Sequence, residues 1–434
     1  MTEPLVFAAT SDLAGKLRGK AFPLSALDSR LVKGVGWTPT NAMISCFDGI
    51  AKGPFGSLGD LVLIPDPAAA LELDLGDRVE RLMLSDIHEL DGAPWGMCTR
   101  LMLKAAIARL EQVAGLSVTA TFEHEFQLKG GTAAPGEAFG YQAFAAHRSL
   151  GEAVMGALSA AGMETDSFLR EFGPDQFEVT VGPRDALRAA DEAVFLREIV
   201  RLVAKAHGEE ATFSPIQSPT GVGNGVHVHM SLRDRTGTPV TWDSNGPGEL
   251  SAVASAFVAG ILRDMPALVA LTAPSDISYL RLTPHRWSAA YNNLGFHDRE
   301  AAVRICPVTG KSPDVIARQY NFEYRAADAA AAPHLVLAAL IHAGCQGIED
   351  GLIAPRPTGE DMSTLSAPEL AARGVERLPE TLPAALDRFA STQRVRDWFP
   401  DGFADVYRAH KLGEMAELDG KDTAARCAAY AAVY

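Results

Sequence analysis

Gly223–Leu232 reads GNGVHVHMSL. Side chains on a strand point alternately to opposite faces. His227, His229 and Ser231 therefore line one face, and Val226, Val228, Met230 and Leu232 line the other. The apolar face calls for a core beneath it and leaves the imidazoles on the open side. The glycines that lead in, GVGNG at Gly221–Gly225, permit close backbone approach to a ligand. They look like a phosphate-binding loop but enter a strand rather than a helix, so the motif alone is weak.

Three other segments repeat this division. In TFEHEFQL, Glu123, Glu125 and Gln127 face away from Phe122, His124, Phe126 and Leu128. In EFGPDQFEV, Glu171 lies in a loop, and Gln176 and Glu178 share a face opposite Phe177 and Val179. In YNFEYR, Asn321, Glu323 and Arg325 oppose Phe322 and Tyr324. A merely solvated face carries Lys, Thr and Ser, whereas these carry Glu and His. Four such strands in one sheet make an acidic surface that repels itself, and divalent cations relieve the repulsion. Carboxylates with an occasional imidazole suit Mg²⁺ or Mn²⁺, whereas structural zinc favours cysteine. His124, on the apolar side, reads as a core histidine.

Arg281, Arg299, Arg304 and Arg325 lie close in sequence to these strands. Arginine suits bidentate recognition of carboxylate and phosphate. Metals, arginines and carboxylates together are the inventory of phosphoryl transfer. There is no GxxxxGK[ST] motif, which excludes a P-loop enzyme.

The flanking chain supplies a frame. Leu5–Thr10, Asp60–Pro65 and Leu82–Leu84 read as strands of a small β-rich unit. Thr99–Glu111 has apolar residues at helical spacing, and the domain boundary falls just before it. Strands over Ser117–Leu128, Gln176–Val181, Gly225–Leu232, Ala301–Cys306 and Asn321–Ala326 then alternate with helices. The helices cover Ser149–Ala161, Asp185–His207, Leu250–Asp264 (stopped before Pro266), Pro333–Gly347 and Leu382–Ala390. The expected class is α+β: a sheet-built site backed by helices.

The 434 residues carry a net charge of −15, which opposes nucleic-acid binding. The five cysteines are scattered, as in a reducing compartment. The N-terminus, MTEPLVFAAT, does not read as a signal peptide. The apolar run Leu335–Ile341 is too short to span a bilayer, which takes about 20 residues. A soluble cytoplasmic protein without membrane contact is expected.

These residues resemble the glutamine synthetase family, over nearly the whole chain. FDGI at Phe47–Ile50 with LVLIPDP resembles its N-terminal β-grasp region, and FEHEF its paired-glutamate strand. GPDQFE resembles its next glutamate strand, and GNGVHVHMSL its histidine signature, the most specific of these motifs. Arg281–Leu282, DREAAVRI and FEYRAADAAAAPHLVLAAL follow in the family's order. The resemblance implies an N-terminal β-grasp domain over 1–98 and a catalytic domain over 99–434 with an antiparallel sheet. It implies that Glu125, Glu171 and Glu178 hold one metal, and Glu123, His227 and Glu323 a second. Glutamate would be bound by Gly223, Arg281 and Arg325, beside Glu125 and His227. Arg299 and Arg304 would stabilise the transferring phosphate, with His229 and Ser231 along the nucleotide. Asp48 would reach across from a neighbouring subunit. ATP would be the cosubstrate, and the assembly a homo-oligomer of stacked hexameric rings.

The resemblance breaks at one place. The family's flap glutamate, which takes a proton from ammonium, falls at Trp287, and an indole cannot act as a base. Val222 and Asn321 also stand where the family has asparagine and arginine. Metal and glutamate parts are intact while the ammonium part is not. An organic amine in place of ammonia is therefore expected, in a pocket of Asp48, Tyr141 and Trp287. Arylamines are already neutral at pH 7. Alkylamines need a base, for which Asp48 and Glu171 are candidates. A polyamine fits less well, because its distal cation wants more carboxylates than the flap loop offers. An ordinary glutamine synthetase and a catalytically silent binding protein are the alternatives. Arg286 receives no role.

Overall fold

The computed structural model describes residues 2–131 and 136–434. Its first sheet is built from β1 (Leu5–Ser11), β2 (Leu17–Pro23), β3 (Val35–Trp37), β4 (Leu61–Asp74) and β5 (Val79–Glu89) in the order β2-β1-β5-β4-β3. β1 and β5 run parallel, and the other pairs are antiparallel. Alternation sets its core: Leu61, Leu63, Leu71 and Leu73 are buried while their neighbours in β4 are less so.

The second sheet carries the carboxylate strands. Its members are β6 (Leu116–Leu128), β7 (Thr165–Arg170), β8 (Gln176–Val181), β9 (Arg184–Asp185), β10 (Ala211–Thr212), β11 (Val226–Asp234), β12 (Leu294–Phe296), β13 (Val303–Ile305) and β14 (Phe322–Tyr324). Seven follow the order β12-β13-β14-β11-β6-β8-β7, with β9 and β10 also paired to β6. The pairing is antiparallel apart from β12 and β13, which run parallel. So the expected antiparallel sheet is mixed at one edge. On the face away from the carboxylates, Phe122, Phe126, Phe177, Val228 and Phe322 are buried, and helix Ala186–Ala206 packs on β6. Each such side chain contributes about 1.5–3 kcal/mol of transfer free energy. His124 joins this core as expected. It stands edge-on to Phe213, and burial pushes its pKa down to about 3, so it is neutral.

Two long helices, Ala252–Thr272 and Pro333–Glu349, cross closely behind the sheet. The crossing depends on glycine: a Cβ at Gly260 would overlap the Ala343 carbonyl, and one at Gly347 would overlap the Ala256 carbonyl. The first helix runs eight residues past the expected end at Asp264, with Pro266 inside it. Proline removes the N–H that would serve the Leu262 carbonyl. Asn292 Nδ2 donates to that carbonyl at 3.1 Å instead, so the helix continues. This helix is apolar and long enough to cross a membrane, but it is mostly buried within the protein.

Arg100 fastens the two sheets together. It is 2 % exposed and bonds Asp191 behind the second sheet and Asp66 and Asp86 in the first. Beside it, Thr99 Oγ1 donates to the Ser11 carbonyl at 2.7 Å.

Candidate active site

Strand register assembles the acidic face. Glu123 lies opposite His227, Glu125 opposite Glu178, and Glu323 opposite both His229 and Arg304. Glu123, Glu178 and His227 bring ligand atoms within 4.8 Å of one another, as do His229, Cys306 and Glu323. Glu123 Oε2 is 3.5 Å from His227 Nδ1. His229 Nε2 is 3.1 Å from Glu123 and 2.8 Å from Glu323. His229 thus sits among the expected metal residues as well as beside them on the strand. Its Nδ1 meets the Asn321 amide oxygen at 2.9 Å. Burial opposes its charge, but Glu123, Cys306 and Glu323 hold its pKa well above the ordinary value, so without a metal the ring is protonated on both nitrogens. Asn321, read above only as a lost arginine, orients this imidazole.

The electrostatics divide the face into two halves. Burial pushes the Glu125 carboxyl up to about 7, reinforced by the charge of Glu171. Burial and the charges of Glu123, Glu125 and Glu171 push Glu178 up as well. Glu171 is raised chiefly by burial, and the Arg299 charge partly offsets this. Glu123 and Glu323 go the other way. Burial opposes their charge, but His229 and a hydrogen bond from His227 hold Glu123, and His229 with the Arg325 charge holds Glu323, below the ordinary carboxylate range. Burial and the Arg325 charge bring His227 down to about 4, so its ring is neutral and able to ligate.

These residues fit divalent cations. Among the described residues, Glu125, Glu171 and Glu178 form no ion pair with lysine or arginine, and each disfavours its neighbour's charge. Oxygen donors with imidazole suit Mg²⁺ or Mn²⁺. Glu123, Glu125, Glu171, Glu178, His227 and Glu323 would hold them, with His229 in reach of the same oxygens. Such ions would neutralise phosphate charge.

The arginines frame the face. Arg304 Nη1 and Arg325 Nη1 bond the same Glu323 oxygen at 2.9 and 2.5 Å, and Arg304 Nε has no partner among the described residues. Arg325 also donates to the Arg299 and Trp287 carbonyls at 3.2 and 2.9 Å. Arg281 is 3 % exposed and donates to the Ala326 and Ala327 carbonyls, while its Nε has no partner among the described residues. A Cβ on Gly223 would come within 2.5 Å of Arg281 Cγ, so glycine there lets the arginine pass. Ser231 lies further along β11, opposite Thr119, and its side chain forms no hydrogen bond among the described residues.

Four residues at the face and the flap received no role from sequence reasoning. Gln176 Nε2 reaches Glu125 Oε2, the Gly223 carbonyl and Asn224 Oδ1, and its place beside Glu178 on one face was the available signal. Cys306 Sγ is 3.6 Å from His229 Nδ1. Glu300 accepts from the His285 and Trp287 amides. Arg286 donates to the Gly221 carbonyl at 2.6 Å, tying the flap loop to the glycine loop. No sequence pattern marks the last two, because their partners are distant in the chain.

The expected amine residues are not brought together within one chain. Trp287 is held over Arg325 by its backbone at φ 50°, with its indole largely exposed. Asp48 is exposed in the first unit and paired with Arg18 at 2.9 Å. Tyr141 is exposed, and its hydroxyl accepts from Arg148.

A sheet face of carboxylates and imidazoles, rimmed by arginines, is the apparatus of an enzyme that handles a phosphoryl group. Comparison makes the class specific. Residues 2–95 match the glutamine synthetase N-terminal domain, and residues 96–430 the glutamine synthetase catalytic domain. The chain belongs to the glutamine synthetase family. It is 34% identical to the Gamma-glutamylpolyamine synthetase GlnA3 of Streptomyces coelicolor, over 98% of this chain and 92% of that one. It is 30% identical to the Glutamate–isopropylamine ligase of a Pseudomonas species, over 94% and 90%. A crystal structure described as a novel glutamine synthase homolog superposes with a TM-score of 0.91 at 39% identity, covering 100% and 99% of the two chains. The GmaS/ADP complex superposes at 0.83 with 25% identity, covering 96% and 94%. The protein is an ATP-dependent ligase that forms γ-glutamyl amides.

Proposed function

We propose that this enzyme joins an organic amine, aryl or alkyl, to the γ-carboxylate of L-glutamate in preference to ammonia. In the first step a γ-carboxylate oxygen bonds to the γ-phosphorus of ATP, and ADP leaves with the electrons of the broken P–O bond. In the second, the amine nitrogen bonds to the acyl carbon of γ-glutamyl phosphate. The C–O bond breaks, phosphate leaves with its electron pair, and the nitrogen gives up a proton. Arg304 and Arg299 stabilise the charge on the phosphoryl group. Arg281, Arg325 and the Gly223 loop bind glutamate. Glu171, raised by burial, accepts the proton from an alkylammonium. His229 and Ser231 line the nucleotide path, and Mg²⁺ or Mn²⁺ is the metal.

The observation that carries this reading is Trp287. Its amide and carbonyl are fixed by Glu300 and Arg325, so the flap position is anchored beside a glutamate-binding arginine and presents an indole instead of a base. Glu300 does not restore the missing carboxylate: each of its oxygens accepts a loop amide. The two relatives named for γ-glutamyl transfer to polyamines and to isopropylamine support an organic acceptor. Asp48 and Tyr141 would join Trp287 only in a homo-oligomer with sites between subunits, as expected for stacked hexameric rings. A panel of ammonium, alkylamines, diamines and anilines, scored by phosphate release with ATP and glutamate, tests the reading. Preferred turnover of ammonium would refute it, and no release with any amine would favour a silent protein.

A further inference from the structure

Most of the residues suited to metal stand on strands, where register fixes them: Glu123 and Glu125 on β6, Glu178 on β8, His227 on β11 and Glu323 on β14. Glu171 does not. It lies one residue past the end of β7, in the turn that leads into β8. No ladder partner sets its direction. Its Oε2 accepts the neighbouring amide of Phe172 at 3.0 Å, and among the described residues it forms no ion pair. Some other group must aim it.

Arg170 occupies the inside of that turn. It is the last residue of β7, 2 % exposed, and paired in register with Phe177. Its Nη1 donates to three carbonyls around the turn: Glu171 at 2.6 Å, Gly173 at 2.6 Å and Gln176 at 3.1 Å. Nη2 donates to Glu137 at 3.2 Å, and the guanidinium lies 5.5 Å from the centre of the Phe177 ring. Hydrogen bonds from a cation are roughly twice as strong as neutral ones, and the planar fork serves both directions at once. The turn is also closed on itself, because the Glu171 amide donates to the Gln176 carbonyl at 2.8 Å. The N–H and the carbonyl of Glu171 are thus both held. Fixing the peptide planes on either side of a Cα fixes where its side chain sets out. Gln176 ties the same turn to the face: its Oε1 accepts the Gly173 amide at 2.8 Å, and its Nε2 reaches Glu125 Oε2 at 3.3 Å.

We propose that Arg170 is a positioning residue for Glu171: its guanidinium gathers the carbonyls of the turn and so presents the Glu171 carboxylate to a divalent cation. The proposal rests on the placement of Glu171 among the metal-holding carboxylates, and it names the group that keeps that loop-borne carboxylate in place.

The test reads metal binding without turnover. Mn²⁺ is titrated into the full chain in the absence of ATP, glutamate and amine, and free Mn²⁺ is counted by electron paramagnetic resonance. Arg170→Met should weaken binding about tenfold or more, the usual loss when a group that orients a metal ligand is removed. Glu171→Gln should weaken it at least as much. The double variant decides the route: an arginine that acts through Glu171 has nothing left to orient, so adding Arg170→Met to Glu171→Gln should cost nothing further. Binding by folded Arg170→Met within about twofold of wild type overturns the proposal. An additive loss in the double variant also overturns it, since the arginine would then support the sheet in general. Unchanged binding in Glu171→Gln removes Glu171 from the metal site and takes this proposal with it, leaving the choice of acceptor untouched. Circular dichroism checks the fold of each variant. Arg170→Gln, too short to span the three carbonyls, serves where the methionine variant does not fold.

Discussion

The carboxylate face and the flap loop meet at Arg325, yet they are built on opposite terms. The face is strand-borne, and register fixes it: Glu323 is 1 % exposed and bonded by two arginines and an imidazole. The flap is loop-borne and largely exposed at Trp287 and His285, both at positive φ. Positive φ in non-glycine residues stores strain and persists only where the surroundings over-determine it. Here the surroundings are Glu300 and Arg325, which bond the loop through its backbone. A side chain at 287 can therefore change without disturbing the hydrogen bonds that hold the loop. On the proposed reading, the face would perform chemistry common to every acceptor, and the flap region would select the acceptor.

That division can be broken by mutation, beginning with the largest effect. Arg304→Ala should lower kcat by about 10²–10³-fold, the usual loss for one charge-stabilising donor, and by the same factor for every amine. A loss confined to one amine would break the division, as phosphate-release kinetics across the panel would reveal.

Glu125→Gln sharpens it from the stability side. The Glu125 carboxyl is raised from 4.5 to about 7 in the folded state. Its favourable contribution is therefore complete below pH 4.5 and disappears as pH rises through 7. With chelator present, wild type and variant should be equally stable near pH 4.5. Above pH 8 the variant should be more stable by up to about 3 kcal/mol. Denaturant melts at several pH values measure the gap, and a gap that stays constant with pH counts against the face being self-repelling. Saturating Mg²⁺ or Mn²⁺ should reverse the order, because only the wild type has the full ligand set.

Trp287→Glu addresses the flap. It should raise ammonium use relative to organic amines roughly tenfold, the scale of a single pocket contact, with little change in the KM for ATP. An unmoved ammonium-to-amine ratio would remove Trp287 from acceptor choice. The smallest effect belongs to Arg286→Ala, which cuts the 2.6 Å tie to the Gly221 carbonyl. Losing about 1 kcal/mol of hydrogen bonding should raise the KM for the amine about fivefold and leave the KM for ATP alone. Equal rises in both would mean that the tie serves the glycine loop rather than the flap.

Much of the face was legible in advance because its signal is local. Alternation in TFEHEFQL and GNGVHVHMSL assigns each carboxylate and imidazole to a side. The position of Pro266 misled for the same reason: a breaker is a local signal, whereas the bond that rescues the Leu262 carbonyl comes from Asn292, thirty residues on. His229 was placed with the nucleotide by motif, but only pairing of β11 with both β6 and β14 brings its Nε2 between Glu123 and Glu323. Arg286 and Glu300 were silent because their partners are backbone groups of other loops, and backbone groups leave no mark in composition.

The sequence by itself determined the two-unit α+β architecture and the polar face through periodic patterning and residue identity, and its resemblance to the family implied the loss of a base at the flap. Tertiary structure decided which carboxylates neighbour one another, which carboxylate oxygens and guanidinium lock the flap, and where acidic residues from 298–300 and 360–361 converge on one cavity. Those depend on strand register and loop packing, which set distances between residues far apart in the chain. Charge repulsion, orphaned acceptors and shifted pKa values follow from those distances alone.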